Sequence, residues 1–547
     1  MKKKLIPLIA ALIGINAYAN EAERPNILFV VVDDMGYSDL SKFGSEVPTP
    51  NLDELANQSV IMSNMQAAPA CSPTRAMLWT GVDSHKAGLG NMLEEMAPNQ
   101  EGQPGYEGMI NDKVVLISET LQQQGYETFY AGKWHLSKGE ENRAFERGFS
   151  QTFALNSGGA SHYDDMKPAY SPTPEAKAPY SVNGKLIDKL PAEFNYSTQY
   201  YADKAIEFIE NAQDKPFFGV ISYTAPHWPL QAPDKVVEKY QGNYDQGYEA
   251  LYQARFDKQK QLGLIPKDSN YTNRYPEGQA WDELSDEQKK REVKSMEIYA
   301  AMIDQIDQYT GNVIQKLKQL GKYDNTMIVF LSDNGTEGHT LDEVWPMDQF
   351  PKIRTTINNT HDFSYENMGK KNSYALLGPN WGRVTSPGFD MFKGYPQLGG
   401  TQVISFIKYP HVDKQGVMVD TLTTVKDFVP TILDVTKLTQ AHKDNIGKEH
   451  HMYTGRSLVD IERSNVSDEL VVRELFGKVS VNDGQWMATR NFVEKDSKWA
   501  LFNVQSDVST TVDLSEQHPE ILKKLKLAWV GYQRENNVII PDWVSGY

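Results

Sequence analysis

The sequence predicts an α/β fold: a large, mostly parallel β-sheet flanked by helices, followed by a small antiparallel unit. Three observations predict it. Apolar runs of strand length, which suit strands buried on both faces, alternate with helix-period segments from Asn26 to Val435. Two of these runs end in matched oxygen-rich turns, Asp33-Asp34 and Asp333-Asn334. Beyond Thr439 the pattern changes to short, closely spaced strands.

The elements follow in chain order. Lys2, Lys3 and Lys4, the apolar stretch Leu5 to Ile15 and the cleavage signal Ala17-Tyr18-Ala19 read as a signal peptide over residues 1–19, with the mature chain starting at Asn20. The apolar stretch is shorter than the ~20 residues a membrane span needs, and no cysteine follows it to carry a lipid. The predicted location is therefore periplasmic or secreted, without membrane insertion after cleavage. Asn26 to Val32 is a central strand. Leu116 to Gln124 is a helix stopped by Gly125, Glu127 to Ala131 a short strand before Gly132-Lys133, Tyr200 to Asn211 a helix and Pro216 to Tyr223 a strand. Two polar insertions interrupt this alternation: Asp164 to Glu193, with its Asn183-Gly184 turn, and the partly helical Tyr240 to Gln279.

Ser285 with Gln288 forms a capping box that opens a long amphipathic helix ending at Gly321. Met327 to Leu331 is the next buried strand, Thr336 to Pro396 reads as loop, Thr401 to Ile407 as strand and Val425 to Val435 as helix. Leu470 to Leu475 and Gln485 to Thr489 are short strands of the C-terminal unit, closed by a helix near Ile521 to Gln533. The expected division is a signal peptide at 1–19, a catalytic domain at 20–438 and a C-terminal subdomain at 439–547.

Composition narrows the function. Of 547 residues, 40% are hydrophobic, 23% charged and 11% aromatic, which excludes a disordered, collagenous or multi-span membrane chain. The net charge of −17 disfavours nucleic acid as a partner. An anionic substrate must then meet cations gathered locally. The single cysteine, Cys71, excludes an intramolecular disulfide and leaves one thiol to explain.

Ligands of open α/β sheets bind outside the carboxyl ends of the strands. Asp33, Asp34, Asp333 and Asn334 fall at such ends. Three carboxylates and an amide oxygen form a hard-oxygen set suited to Ca²⁺ or Mg²⁺; turn formation and helix capping are the other reading of the same residues. In Cys71-Ser72-Pro73-Thr74-Arg75, Pro73 suits the first turn of a helix. Cys71 would then sit at a helix N-terminus, a place that attracts anions and lowers a thiol pKa. Arg75, one turn on, offers a fork for an oxyanion. A soft thiolate beside a hard cation is a chemical mismatch. Lys133 and His135, two apart, can share one face, and His227 lies in a Pro-flanked loop after a buried strand. Trp134 and Trp228 adjoin these histidines, either as pocket walls or as core.

Cys71-Ser72-Pro73-Thr74-Arg75 followed by Thr80-Gly81 resembles the signature of the type I sulfatases. Four further segments agree in order: Val31 to Gly36, Gly132 to Leu136, Ala225-Pro226-His227 and Ser332 to Gly335. The Tyr374-to-Lys393 region and Glu474-Leu475-Phe476-Gly477 look most like the bacterial arylsulfatases. The resemblance implies an alkaline-phosphatase-like fold and hydrolysis of aryl or sugar sulfate monoesters. It implies that a maturation enzyme converts Cys71 to formylglycine, whose oxygen nucleophile removes the thiol mismatch, and that Asp33, Asp34, Asp333 and Asn334 hold one Ca²⁺ beside residue 71. One hydroxyl of the hydrate would attack sulfur, and the second would expel sulfate and restore the aldehyde. Arg75 matches the residue that holds the hydrate, Lys133 and His135 those that bind it and the sulfate, and His227 and Lys393 those on the leaving-group side. Leu398-Gly399-Gly400-Thr401-Gln402 departs from the family's usual acidic residue before Gly-Gly and arginine after it. A phosphonate or phosphate monoester hydrolase on the same scaffold is the alternative.

Overall fold

The computed structural model describes residues 24–269, 278–463 and 470–545. The expected signal peptide and mature start at Asn20 lie outside the described residues.

The chain builds a ten-stranded mixed sheet. Its centre is five parallel strands in the spatial order Thr326–Ser332, Asn26–Val32, Phe217–Ser222, Glu127–Lys133 and Gln151–Leu155. Alternate residues of Asn26–Val32 enter different cores: Leu28, Val30 and Val32 pack on one face, Ile27, Phe29 and Val31 on the other. Burial on both faces is why this strand is apolar throughout.

The flanks bring in antiparallel pairs. Ser405–Lys408 runs antiparallel to Thr326–Ser332, and the hairpin Tyr180–Val182 with Lys185–Leu186 is antiparallel beyond Gln151–Leu155. Asn183 and Gly184, both at positive φ, make the predicted turn of that hairpin. The expected strand Thr401 to Ile407 divides: Gln402–Val403 pairs with Met65–Gln66 in a separate three-stranded sheet, and Ser405–Lys408 joins the main one.

The long helix Asp286–Gln319 opens on the predicted capping box, with Gln288 N donating to Ser285 Oγ and Ser285 N donating to Gln288 Oε1. Its apolar face, including Met296, Ile303, Val313 and Leu317, joins the core. The segment Thr336 to Pro396, expected as loop, carries the helices Leu341–Val344, Pro351–Thr360 and Gly378–Val384. The middle one buries only Thr356 and Ile357, too few to leave a helical period in the sequence.

The segment after Thr439 first returns to the main sheet: Leu458 and Ile461 pack in its core, and His442 Nδ1 lies 2.7 Å from Thr120 Oγ1. A four-stranded antiparallel sheet then forms from Val471–Leu475, Lys478–Asn482, Trp486–Asn491 and Ala500–Asn503, covered by helix Pro519–Glu535. Where it meets the main unit, His85 is held between Asp83 Oδ1 and Glu474 Oε2, each at 3.0 Å, and Tyr532 OH donates to Asp83 Oδ2 at 2.8 Å. Among the described residues no helix is long and apolar enough to cross a membrane.

Candidate active site

Register brings the site together. Val32 pairs with Ser332, Val31 with Ser222 and Gly132 with Ser222, so four parallel strands end at one level. The next residues, Asp33 and Asp333, are joined by the main chain, Asp333 N donating to Val32 O at 3.0 Å. Asp34 takes a left-handed conformation, φ 64°, and its N–H donates to Asp333 Oδ1 at 3.3 Å. Met35 N donates to Ser332 Oγ at 3.0 Å. The two sequence-distant turns thus lock each other, which a local propensity cannot encode.

Gly132 permits this closeness. Its φ is +121°, and a Cβ there would lie 1.9 Å from Ser222 O. The strand Glu127–Lys133 therefore runs two residues past its expected end and delivers Lys133 to the sheet edge. Lys133 Nζ donates to Asp33 Oδ2 at 2.6 Å.

Helix Cys71–Thr80 begins at the cysteine, and Gly81 ends it as a left-handed C-cap, its N–H donating to Met77 O at 2.8 Å. Thr80-Gly81 is thus a helix stop. Cys71 is 1% exposed, and its Sγ lies 3.7 Å from Asp34 Oδ1. The expectation of a lowered thiol pKa is corrected: burial, with the Asp33 charge, pushes the thiol well up despite Lys133 and Lys393.

Arg75, expected to offer a fork to an oxyanion, turns most of its guanidinium onto the protein. Its Nε and Nη2 lie 2.8 and 2.7 Å from Asp333 Oδ2, while Nη1 donates to Lys133 O and Ser222 Oγ, both at 2.6 Å. The guanidinium fixes a carboxylate and two strand ends, while Nη2, though beside Asp333 Oδ2, makes no hydrogen bond among the described residues.

Lys393 enters the site: its Nζ lies 2.9 Å from Asp34 Oδ2 and 3.5 Å from Glu337 Oε2. Gly399 and Gly400 hold its loop close, because added Cβ atoms would fall 1.9 Å from Met391 O and 2.0 Å from Tyr395 O. His227 Nε2 lies 3.7 Å from Asp34 Oδ2, and its Nδ1 donates to Trp228 O at 2.6 Å. Burial, with Lys393 and Lys133 nearby, holds this imidazole well below its usual pKa. His135 faces Glu94, 3.1 Å from Nε2 to Oε1. Burial lowers its pKa against the pull of Glu94.

The tryptophans divide. Trp134 is core, edge-on to Tyr130 and Phe149 with Nε1 donating to Asn142 O. Trp228 packs against His227, Tyr170 and Tyr374 in an apolar cluster that also takes Leu475 and Phe476. This explains the Glu474-to-Gly477 motif: a turn placing two apolar side chains there, while Glu474 Oε1 accepts from Gly477 N.

The oxygen set fits a hard divalent cation. One ligand atom each from Asp33, Asp34, Cys71 and Asp333 lie within 4.8 Å of one another. Asp33 Oδ1 and Asn334 Oδ1 are buried and lack a hydrogen-bond partner among the described residues, a cost of roughly 1–3 kcal/mol apiece unless a ligand takes them up. Burial, with Asp333 and Asp34 adjacent, pushes Asp33 up to about 7 in spite of Lys133 and Arg75. A bound cation would relieve that crowding.

Sequence reasoning missed Glu94, Ser222 and Glu337. Glu337 Oε1 lies 2.6 Å from His339 Nδ1, and its other oxygen faces Lys393. Its place three residues beyond Asn334 was the one available signal; Glu94 had none.

An open α/β sheet with buried carboxylates, cations and imidazoles around its carboxyl edge defines a hydrolase of the alkaline-phosphatase-like class. The chain belongs to the sulfatase family, whose model, described as Sulfatase, matches residues 25–438, and it is thereby a sulfuric ester hydrolase. It is 36% identical over 544 residues to an uncharacterized sulfatase of Schizosaccharomyces pombe, covering 95% of this chain and 96% of that one. It is 35% identical over 435 residues to an arylsulfatase of Klebsiella aerogenes, covering 79% and 91%. Among solved structures, Ps i-CgsB in complex with k-i-k-neocarrahexaose superposes with a TM-score of 0.64 at 23% identity, covering 95% of both chains. The phosphonate monoester hydrolase of Agrobacterium radiobacter superposes at 0.55 and 17% identity, covering 94% and 96%.

Proposed function

We propose that this chain is an exported sulfatase that hydrolyses sulfate monoesters, aryl sulfates foremost, with formylglycine formed from Cys71 by a maturation enzyme and with one bound Ca²⁺. One observation carries the reading: Cys71 Sγ lies against Asp34, inside a set of hard oxygens where a thiol is the wrong donor and an oxygen nucleophile the right one. Asp33, Asp34, Asp333 and Asn334 would hold the cation, beside residue 71. When bound, it supplies Lewis-acid stabilisation of the sulfuryl oxygens and of the nucleophile's oxygen.

The chain's own residues do the rest. Lys133 and Lys393 bring positive charge to where the sulfuryl oxygens gather charge. Arg75 keeps Asp333 and the strand ends in place, and so fixes the site from behind. His135 binds the sulfuryl group or the hydroxyl at residue 71. His227, oriented through Nδ1 by Trp228 O, turns Nε2 toward the cluster and gives a proton to the departing oxygen when charged. The arylsulfatase relative supports an aryl leaving group, and the aromatic cluster of Trp228, Tyr170 and Tyr374 beside His227 would receive it.

The test is peptide mass across Cys71 in protein from the native host, with metal analysis and rates on aryl sulfate, sugar sulfate and aryl phosphate. The reading expects a lighter aldehyde form, stoichiometric calcium and sulfate preferred over phosphate. An intact thiol in fully active protein removes the nucleophile assignment, and a preference for the phosphate ester favours the phosphatase alternative.

A further inference from the structure

Glu94 lies far in sequence from every motif of the site, yet its side chain ends at one of the site's histidines. It sits in the short helical turn Leu93–Glu95. Tyr170 OH donates to its Oε1 at 2.7 Å, and His135 Nε2 lies 3.1 Å from Oε1 and 3.5 Å from Oε2. Burial opposes its ionisation, but the His135 and Tyr170 contacts hold its carboxyl down to about 2. A carboxylate only accepts hydrogen bonds. The His135 nitrogen facing it must therefore carry the proton, and in the neutral ring Nδ1 is then the atom with the lone pair. Nδ1 is buried and has no partner among the described residues.

The surroundings form a fitted socket. A Cβ on Gly158 would fall 2.7 Å from His135 Cε1 and 2.3 Å from Tyr170 OH, so only glycine lets that backbone close over the pair. The loop bearing Glu94 is tied down from the other end of the chain: Asn99 Nδ2 and Gln100 Nε2 donate to Ile540 O and Ile539 O at 2.8 Å, and Ser545 Oγ donates to Glu95 Oε2 at 3.0 Å.

We infer that Glu94, braced by Tyr170, is a positioning residue for sulfate-ester hydrolysis: it fixes the His135 ring in the Nε2–H tautomer and so presents Nδ1 as an acceptor to the hydroxyl at residue 71. Carboxylates behind imidazoles set the tautomer and orientation of the ring in this way. The inference rests on the part of the reading above in which His135 contacts the hydroxyl at residue 71.

The experiment compares wild type, Glu94→Ala, Glu94→Gln, Tyr170→Phe and His135→Ala in matured enzyme. It reads kcat and KM on para-nitrophenyl sulfate, melting temperature, and the ring tautomer of His135 by NMR of nitrogen-labelled histidine. Glu94→Ala should lower kcat about 10- to 100-fold with KM within about two-fold and should lose the Nε2–H signal. Glu94→Gln keeps an acceptor oxygen and should recover most of kcat and the tautomer, and Tyr170→Phe should fall between. Wild-type kcat in Glu94→Ala overturns the inference, as does a loss that follows melting temperature with the tautomer unchanged. If His135→Ala is inactive while Glu94→Ala is not, only the Glu94 inference fails. If His135→Ala keeps wild-type kcat, the His135 reading fails and takes the inference with it.

Discussion

Cys71 Sγ lies 3.7 Å from Asp34 Oδ1, and the other oxygen of the same carboxylate holds Lys393 at 2.9 Å and faces His227 at 3.7 Å. Asp34 is therefore the hinge of the site: one side chain faces the proposed nucleophile position, a lysine ammonium and an imidazole. Its left-handed backbone makes this possible by turning the carboxylate back over the strand end.

The first prediction concerns that nucleophile position. Cys71→Ala removes one buried sulfur and leaves the Arg75, Lys133 and Lys393 pairings intact. Hydrolysis of para-nitrophenyl sulfate should fall about 10⁴-fold or more. Thermal unfolding should move by about 1 kcal/mol or less in stability. Retained turnover in this variant would exclude residue 71 as the nucleophile.

The second contrasts two metal-site variants. Asp333→Ala leaves the buried Arg75 without its nearest carboxylate, a loss of about 3–5 kcal/mol. Asn334→Ala strands no charge and should cost about 1 kcal/mol. Both should abolish stoichiometric calcium and most activity. Urea unfolding paired with elemental analysis separates the effects, and equal stability losses would show that Arg75 is satisfied by Asp33 alone.

The third concerns the leaving group. A phenolate departs with less help than an alkoxide, so His227→Ala should slow sugar sulfates by about 10²–10⁴-fold and para-nitrophenyl sulfate far less. The measurement is kcat/KM on both esters. Uniform losses would take His227 out of the acid role.

The fourth concerns pH and the C-terminal sheet. Burial opposes the charge on His85, but the hydrogen bonds and charges of Asp83 and Glu474 prevail and raise it to about 9 from 6.5. Because the folded value is raised, its stabilisation is complete below about pH 6.5, declines as pH rises and is gone above about pH 9. The pair is fully buried, and the effect is on the order of 3 kcal/mol. Stability against urea should fall over that window in wild type and stay flatter in His85→Gln. Parallel curves would show that His85 titrates normally.

The sequence by itself determined four of the five central parallel strands, the two oxygen-rich ends and the helix opening at Cys71; Gln151–Leu155 went unread. Burial on both faces forces an unbroken apolar run such as Asn26–Val32, and a parallel sheet places its ligands where such runs end. Those signals are local, so they survive in one dimension. The tertiary structure alone decided how the charges pair. Arg75 became the clamp on Asp333, the Cys71 thiol rose rather than fell, and Lys393 reached Asp34 from a loop that Gly399 and Gly400 hold close. Glu94 and Ser222 joined the site without a pattern to announce them, and Glu337 had only its place three residues beyond Asn334. The helices between Thr336 and Pro396 were hidden for a related reason, since few of their residues are buried. Pairing between buried charges depends on which distant segments meet and how much water they lose, and neither has a period or a spacing that a sequence can carry.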